Sequence, residues 1–583
     1  MRKEEKLELG ERGINFWFCA ALLAMLVTTN VVRDINRPFY GLHSWGQASG
    51  AWAARCHVKY GLGYTRGKST FAVGDPPSAT PRHYLDHPQL GGLINAAGMA
   101  IFGINEWGRR AFSLIPSILT LLLLLRILRG LVGEKIALLA GLILVMFPLS
   151  CYFGIGYWFT MLAFLALYNY LVIIEALSDG PPPGTKHKVI LGICLFFMVQ
   201  LSWSGFFHAF TIGSHYIIHC IRRKQFPQIN LLAILAIAPL FSLFLVFLVM
   251  AAGYEWDIDK IVELYKWRAG RGEVIAEGQP FDWGMWFGKI WEFGATNFTA
   301  LAMITAILYM IVGQLITLVR ETHGKKVYFP QLYLILMPGV YKLFTLKGMV
   351  WKHQFYQRVF SPFLAISIAL AMMLVYDVLK KVNRKLAVVV PGAFLALLFG
   401  LCMVGTNHYY SIRWQAPEKI EMFKFLNKRI PPDKGLLSFE DFIVNQHSSK
   451  GGFYRPEIAW YLDREIVPAR SSKEVQEKAK TNKFPYYLIQ ENAPWSQQTN
   501  RLYRQTLVRD LSDAERKRRQ SLFVQQRRRE TNSWAQFLSS LKKLYKFERI
   551  PGVKGTQTKA GMNPYVIFDL RSGLPRSQAG PTG

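Results

Sequence analysis

No stretch of this chain carries a phosphate-binding glycine loop, a dinucleotide-binding glycine fingerprint in a usable context, a serine nucleophile elbow or the metal-binding histidine pair of a His-Glu-x-x-His helix. Those absences argue against ATP-driven transport and against soluble-type hydrolase chemistry. Cysteine is scarce too. Six are present in 583 residues, all but Cys56 lie in apolar runs, and no spacing suits a disulfide framework or a zinc site. Acidic residues are few, 38 against 69 lysines and arginines, for a formal net charge of +31. That excess favours anionic partners. No nucleic-acid motif accompanies it, so lipid headgroups are expected and nucleic acid is not. No internal repeat is visible, and the apolar runs hold few charges, which sets the chain apart from most transporters.

What the chain has in abundance is apolar length. Hydrophobic residues make up 51% of it. Runs of about 20 apolar residues, enough to cross a bilayer, recur from residue 14 to residue 404 and then stop. In lipid the backbone must satisfy its own hydrogen bonds, so these runs are helices. Membrane helices are expected near 14–32, 89–105, 111–131, 134–150, 153–177, 188–220, 229–252, 297–319, 329–346, 359–379 and 386–404. The first reads as a retained signal-anchor helix. The run 188–220 is too long for one straight crossing and holds Ser202, Ser204, His208 and His215, so it is one broken helix or a hairpin.

Basic residues mark cytoplasmic loops. Arg222 to Lys224, Lys325 with Lys326, and Lys380, Lys381, Arg384 and Lys385 mark three of them. This places loops 253–296 and 347–358 and the C-terminal part together on the outer face, and loop 33–88 joins them there if the amino terminus is cytoplasmic. The number of crossings must then be odd, eleven on this list and thirteen as an alternative. One cluster opposes the scheme: Arg126, Arg129 and Lys135 fall on the outer side by this count.

Loop 33–88 contains an amphipathic helix. Trp45, Ala48, Trp52 and Cys56 form one stripe, with His43, Gln47 and Arg55 opposite. Such a helix is expected to lie in the membrane interface, its aromatic face in lipid or against the bundle. Loop 253–296 carries five tryptophans among charged residues, at home at headgroup level. From about residue 407 the composition is that of a small soluble α/β domain, with strands at 486–489 and 565–568 and helices at 470–481 and 531–545. The densely basic stretch 513–530 reads as a solvated helix, or as a contact for anionic lipid or glycan. The tail from Gly573 is expected to be disordered.

Four polar motifs lie just outside the predicted membrane: His43-Ser44-Trp45-Gly46-Gln47 reaching to Arg55, His83-Tyr84-Leu85-Asp86-His87-Pro88-Gln89-Leu90, Phe102-Gly103-Ile104-Asn105-Glu106-Trp107-Gly108-Arg109-Arg110, and Lys352-His353-Gln354-Phe355-Tyr356-Gln357-Arg358 ahead of Pro362. In this order they resemble the GT-C glycosyltransferases, above all the protein O-mannosyltransferases and lipid A aminoarabinose transferases of family 39 and its relatives. The segment 86–110 carries the most specific part of the likeness.

The resemblance implies transfer of a sugar from a polyprenyl-phosphate donor on the outer side, with an acidic residue of the first loop as base. The first motif is similar to a bacterial subgroup reading His-Ser-Trp-Arg-Gln-x-Asp, but here Ser49 stands at the Asp position and Gly46 at the second Arg. The carboxylate must then come from elsewhere, and Asp34 and Asp86 are the candidates. Each has a plainer reading, Asp86 as a helix-start acid and Asp34 as a solvated loop residue. His43, Gln47, Arg55, His87, Arg268, Lys352, His353 and Tyr356 are the expected substrate-binding residues. The chemistry needs a carboxylate within reach of the acceptor hydroxyl and cations, arginine best, around the departing phosphate. No obligatory metal or other cofactor is expected; Asp257-x-Asp259 is the one spacing that would suit a divalent cation, and it reads more simply as charged helix surface.

The expectation is therefore an α-helical polytopic GT-C-like membrane protein of about eleven to thirteen transmembrane helices, residues 1–406, with a small α/β domain over 407–572 and a tail over 573–583. Its partners are a polyprenyl-phosphate sugar donor, membrane lipids and an acceptor glycan, lipid or protein, in a bacterial inner membrane. A lipid or solute transporter and a non-catalytic family member are the alternatives.

Overall fold

The computed structural model describes residues 9–79, 81–179, 184–269, 282–321, 329–439, 443–444, 453–481, 483–490, 512–550 and 565–573. Arg271, Lys325 and Lys326 and nearly all of the 573–583 tail lie outside the described residues. By contacts the chain forms two compact units. One comprises residues 1–42, 53–70 and 83–412, the other 43–52, 71–82 and 413–583.

The first unit is a polytopic helical bundle. Its path is clearest if the end where α1 begins is called the near end and the other the far end. Helix α1 (Leu9–Val32) runs from near to far. Next in sequence come α2 (Ser44–Thr65) and the ribbon of β1 (Thr70–Phe71) and β2 (Arg82–His83), and then, at the far end, α3 (Leu90–Phe102) and α4 (Glu106–Ala111). Arg110, in α4, ties that stretch down by donating to the backbone oxygens of Asp34 at 2.9 Å and Ile35 at 3.1 Å. Helix α5 (Leu114–Val132) returns to the near end, where the Arg129 guanidinium lies 4.8 Å above the Phe16 ring. Helices α6 (Glu134–Met146) and α7 (Pro148–Phe153) lead back to the far end, where the Tyr152 hydroxyl donates to Leu42 O at 3.2 Å.

The alternation continues through α8 (Trp158–Asp179), α9 (Thr185–Leu201), α10 (Trp203–Arg223) and α11 (Ile229–Gly253). Next, α12 (Ile258–Arg268) and α13 (Trp283–Phe298) remain at the far end. Helix α14 (Ala300–Glu321) and helix α15 (Phe329–Thr345) go down and back, α16 (Lys347–Lys352) and the 3-10 turn Gln354–Phe360 stay far, and α17 (Ser361–Val382) and α18 (Arg384–Ser411) make the last pair. Thr299, at φ 78°, turns the chain between α13 and α14 by 109°.

Eleven traverses result: α1, α5, α6, α8, α9, α10, α11, α14, α15, α17 and α18. Six candidate spans pass on length and composition alone, seven if the bent pair α13–α14 is one span. Within that total one expectation changes and one alternative is chosen. The run 89–105 does not traverse: just before it Asp86 is held by Trp203 and Tyr254 at 3.0 and 3.2 Å, and just past it Arg110 donates to the backbone of Asp34 and Ile35, all at the far end. The run 188–220 traverses twice, because Ser202 turns to extended backbone (φ −165°) and its side chain caps α10 by accepting from Ser204 N at 3.2 Å.

These changes remove the charge conflict. Arg126, Arg129 and Lys135 now fall at the near end, together with Lys186, Lys188, Arg222, Arg223, Lys224, Lys380, Lys381, Arg384 and Lys385. Arg129 is also ion-paired with Glu134 at 2.6 Å. Accordingly, a cysteine introduced as Asn105→Cys should be labelled by a membrane-impermeant reagent from the same side as Ser411→Cys, and Lys135→Cys from the opposite side. Labelling of Asn105→Cys with Lys135→Cys would restore a crossing by α3.

Inside the bundle α5, α6 and α17 meet through small residues. Ala137, Ala140, Ala365 and Ala369 are wholly buried, and a Cβ on Gly141 would stand 2.7 Å from Leu125. Such side chains let helix backbones approach closely where lipid offers no hydrophobic drive.

In the second unit a mixed sheet runs β6-β3-β7-β9-β8. It comprises β3 (Leu436–Ser438), β6 (Ile466–Pro468), β7 (Tyr486–Gln490), β8 (Lys546–Arg549) and β9 (Tyr565–Asp569), with a separate two-strand ribbon of β4 (Ile443–Val444) and β5 (Phe453–Tyr454). β3 pairs parallel with β6 and β7, while β9 is antiparallel to β7 and β8. The helices are α19 (Pro417–Arg429), α20 (Pro456–Leu462), α21 (Ser472–Ala479) and α22 (Asp513–Leu544). Trp534, Leu538 and Leu541 of α22 share a core with Tyr487, Val566 and Phe568 of the sheet. Residues from the first loop join this unit. Ser44 donates to Glu457 at 2.8 Å, and Trp52 stacks on Phe71 at 4.5 Å. In α2, Trp52 and Cys56 of the apolar stripe are buried, and so is Arg55 of the side expected to be polar.

Candidate active site

Asp86 precedes α3 at the far end and is 5% exposed. Three elements fix it. Trp203, first residue of α10, donates its indole N–H to Asp86 O at 3.0 Å. Tyr254, just past α11, donates its hydroxyl to Asp86 Oδ1 at 3.2 Å. Arg268, last residue of α12, brings Nη2 to 3.7 Å from Oδ2. A cation at a helix C-terminus is favoured by the helix dipole. The turn into α12 is strained, with Glu255 and Trp256 both left-handed at φ 56° and 64°.

Arg268 is also 5% exposed, and its Nε and Nη1 are buried with no hydrogen-bond partner. Buried guanidinium N–H groups are costly unless something accepts from them. Arg268 Nη2 lies 3.5 Å from His87 Nε2, and the guanidinium interacts with the Tyr356 hydroxyl. On the other side of the Tyr356 ring, Lys342 Nζ stands 4.2 Å from its centroid. Arg358 follows, 3.5 Å above the Tyr157 ring, and Tyr157 also faces Arg109. Arg109 Nε is buried and unpartnered. Lys342 and Arg358 are 7% and 8% exposed. Among the described residues no carboxylate comes within ion-pair distance of Arg109, Lys342 or Arg358. The result is a chain of cations with Asp86 as its only carboxylate among the described residues. Arg358 also lines an apolar crevice with Phe159, Phe164, Leu334, Ile335 and His208.

Six of the ten expected site residues come together here: Asp86, His87, Arg268, Lys352, His353 and Tyr356. His353 stacks on Phe355 and Tyr356 at 5.3 and 5.9 Å, and Lys352 lies beside it. Asp34 is elsewhere, paired with Arg37 at 2.9 Å while Arg37 also donates to Tyr410 O at 2.9 Å. His43 and Gln47 belong to the second unit, where the His43 ring packs 4.6 Å from Trp414. Arg55 is buried in α2. Asp257, of the Asp-x-Asp spacing, is ion-paired with Lys260 at 2.6 Å.

Sequence reasoning missed Tyr254, Trp203, Tyr157 and Lys342 as members of this site. The first three look like ordinary interface aromatics. Lys342 did carry a signal, an ionisable residue inside an apolar run, which marks a functional position by default.

Burial, with Lys352 and Arg268 nearby, pushes His353 down to about 4. Part of His87 reaches solvent, but desolvation of its ring, with Arg268 and His353 close, drives it well below the usual histidine value. Both rings are thus neutral at pH 7 when folded and become protonated below about 6.5 when unfolded. The unfolded chain binds more protons across the window from about 6.5 to about 4, so this stability is full above the window and lost as pH falls through it. The melting temperature of the detergent-solubilised protein should therefore drop between pH 7 and pH 4, and His353→Gln should flatten the drop. An unchanged slope in the variant would contradict this assignment.

A helical bundle that gathers one carboxylate and several buried cations at one end, followed by a small α/β domain, defines a class: the chain is an integral multi-pass membrane protein with the fold of the GT-C glycosyltransferases. Residues 86–242, beginning at Asp86, match the family model of the dolichyl-phosphate-mannose-protein mannosyltransferases. The apo oligosaccharyltransferase of Archaeoglobus fulgidus is similar at 12% identity over 82% of this chain and 69% of that one, with a TM-score of 0.51. ArnT of Cupriavidus metallidurans, solved with undecaprenyl phosphate, is similar at 11% identity over 96% of this chain and 99% of that one, with a TM-score of 0.50. No curated protein matches the chain in sequence.

Proposed function

We propose that this protein transfers a sugar, hexose or pentose, from a polyprenyl-phosphate donor to a hydroxyl of a lipid, glycan or protein on the outer face of the cell membrane. The observation that carries this reading is the line Arg268, Lys342, Arg358 and Arg109, cations held in the bundle with Asp86 as their only carboxylate among the described residues and with guanidinium N–H groups left for an acceptor. A phosphate supplies that acceptor, and arginine binds it with a planar fork. The crevice at Arg358 offers apolar wall for an isoprenoid chain. The family name and the undecaprenyl phosphate in the ArnT structure favour the same donor class. Charge supports the outer side: basic residues gather at the near end, which the positive-inside rule assigns to the cytoplasm.

In the reaction the acceptor oxygen attacks the anomeric carbon and its proton passes to the Asp86 carboxylate. The bond from that carbon to the phosphate oxygen breaks, and the lipid phosphate leaves with its new charge facing the cations. Attack opposite the leaving group inverts the anomeric centre. Asp86 is preferred to Asp34 as base because Asp34 is engaged by Arg37 at the end of α1. Cations already in place meet the developing charge, so no metal is required by this scheme.

The test is reconstitution of the purified protein with a polyprenyl-phosphate hexose or pentose and a mixed pool of envelope acceptors. Labelled sugar should move to an acceptor with release of equimolar lipid phosphate. Passage of the lipid across the bilayer with its sugar still attached, and no transfer, would overturn the proposal in favour of a flippase.

A further inference from the structure

Helix α22 does two jobs along its length. Trp534, Leu538 and Leu541 anchor its second half in the sheet core, whereas no side chain from 514 to 533 is buried. At 100° per residue, the half-buried positions 516, 519, 523, 526, 527 and 530 fall on one side of this first half. The opposite arc, about 160° wide, carries Lys517, Arg518, Arg528 and Arg529 and no carboxylate. All four are exposed, and among the described residues none is within ion-pair distance of an acid. The acids of this stretch are used on other cations, Glu515 on Arg519 at 2.7 Å and Glu530 on Arg527 at 3.9 Å. The four cations form two pairs, eleven residues or about 16 Å apart. At the edges of the arc stand Leu522, 46% exposed, and Val524, 59% exposed.

We propose that this face of α22 docks on a bilayer surface rich in anionic phospholipid headgroups. Two adjacent cation pairs on a straight rod match a flat array of phosphates. The flanking Leu522 and Val524 suit a surface that offers hydrocarbon beside charge, which a soluble polyanion does not. The chain also keeps this unit close to such a surface, since only residues 412–416 separate α18 from α19. The inference is independent of the transfer reaction.

The test uses the full chain in nanodiscs of phosphatidylcholine alone or of phosphatidylcholine and phosphatidylglycerol in equal parts, with amide hydrogen exchange as the readout. Peptides from 513–533 should exchange about tenfold more slowly in the anionic discs at low salt, while α21 in the same unit is unchanged. High salt and the exposed quadruple variant Lys517→Glu, Arg518→Glu, Arg528→Glu, Arg529→Glu should each remove the difference. Equal exchange in the two discs would overturn the proposal, as would equal slowing in the variant. So would slowing by heparin in neutral discs as large as that by anionic lipid, which would point to a glycan instead.

Discussion

Asp86→Asn should lower sugar transfer by about 10²- to 10⁴-fold, the range over which a positioned general base contributes, or about 3–5 kcal/mol in the barrier. The amide keeps the shape and can still accept from the Tyr254 hydroxyl and face Arg268, both of which surround the carboxylate in the folded protein. It cannot take a proton. The loss should therefore fall on kcat, with donor binding little changed, because the phosphate is held by the cations rather than by Asp86. Asp34→Asn, in contrast, should leave turnover within a few-fold of the parent, since that side chain is committed to Arg37. Steady-state transfer assays on the two variants decide the point. Full activity in Asp86→Asn would remove Asp86 from the mechanism, and a severe loss in Asp34→Asn alone would return the base role to the first loop.

Arg268→Gln should be the most destabilising single change in the site. The side chains of Arg268 and Asp86 are only 6% and 7% exposed, so solvent screens them little. Breaking a buried pair by deleting one partner leaves an uncompensated charge and costs about 3–5 kcal/mol. The carboxylate oxygen that faced Arg268 then loses that guanidinium, and Tyr254 and Trp203 remain to hold the loop. The double variant Asp86→Asn with Arg268→Gln removes both charges and should recover most of the loss. Thermal unfolding of the parent, the two single variants and the double variant in one detergent measures this coupling. A double variant no more stable than Arg268→Gln would mean that the pair does not couple. Transfer should be poor in both variants that lack Arg268, because the leaving phosphate loses its nearest guanidinium.

Much of the fold could be read before the structure was seen, for one physical reason. Lipid permits only helices, so each apolar run from 14 to 404 had one outcome, and helices occupy all eleven runs. The path of the chain was harder to read. Residues 89–105 have the composition of a crossing, but Gly103, at φ 93°, ends the helix after 13 residues. The break at Ser202 is marked only by a serine between Leu201 and Trp203. The misplaced Arg126, Arg129 and Lys135 were the visible symptom of the extra crossing at 89–105, and they could have been used to remove it and to choose the hairpin for 188–220.

The site was legible in part. Asp86, His87, Arg268, His353 and Tyr356 could be proposed because polar motifs stood at the ends of apolar runs on one predicted face. Which of two carboxylates mattered was also within reach, since Asp34-x-x-Arg37 is an ion-pair spacing. The line of cations was not, because Arg109, Lys342 and Arg358 are separated by hundreds of residues or sit inside apolar runs, and only their three-dimensional packing joins them.

The centre draws on residues 86, 109, 203, 254, 268, 342, 356 and 358, so it closes late in synthesis. When α5 enters the bilayer, Asp86 and Arg109 are present without Arg268 or Arg358. A nascent chain shorter than about residue 268 holds Asp86 without its guanidinium, and every fragment ending before about residue 360 lacks a complete centre. Biogenesis of this protein therefore depends on the late helices not only for the last crossings but also for completing a centre that the early ones only begin.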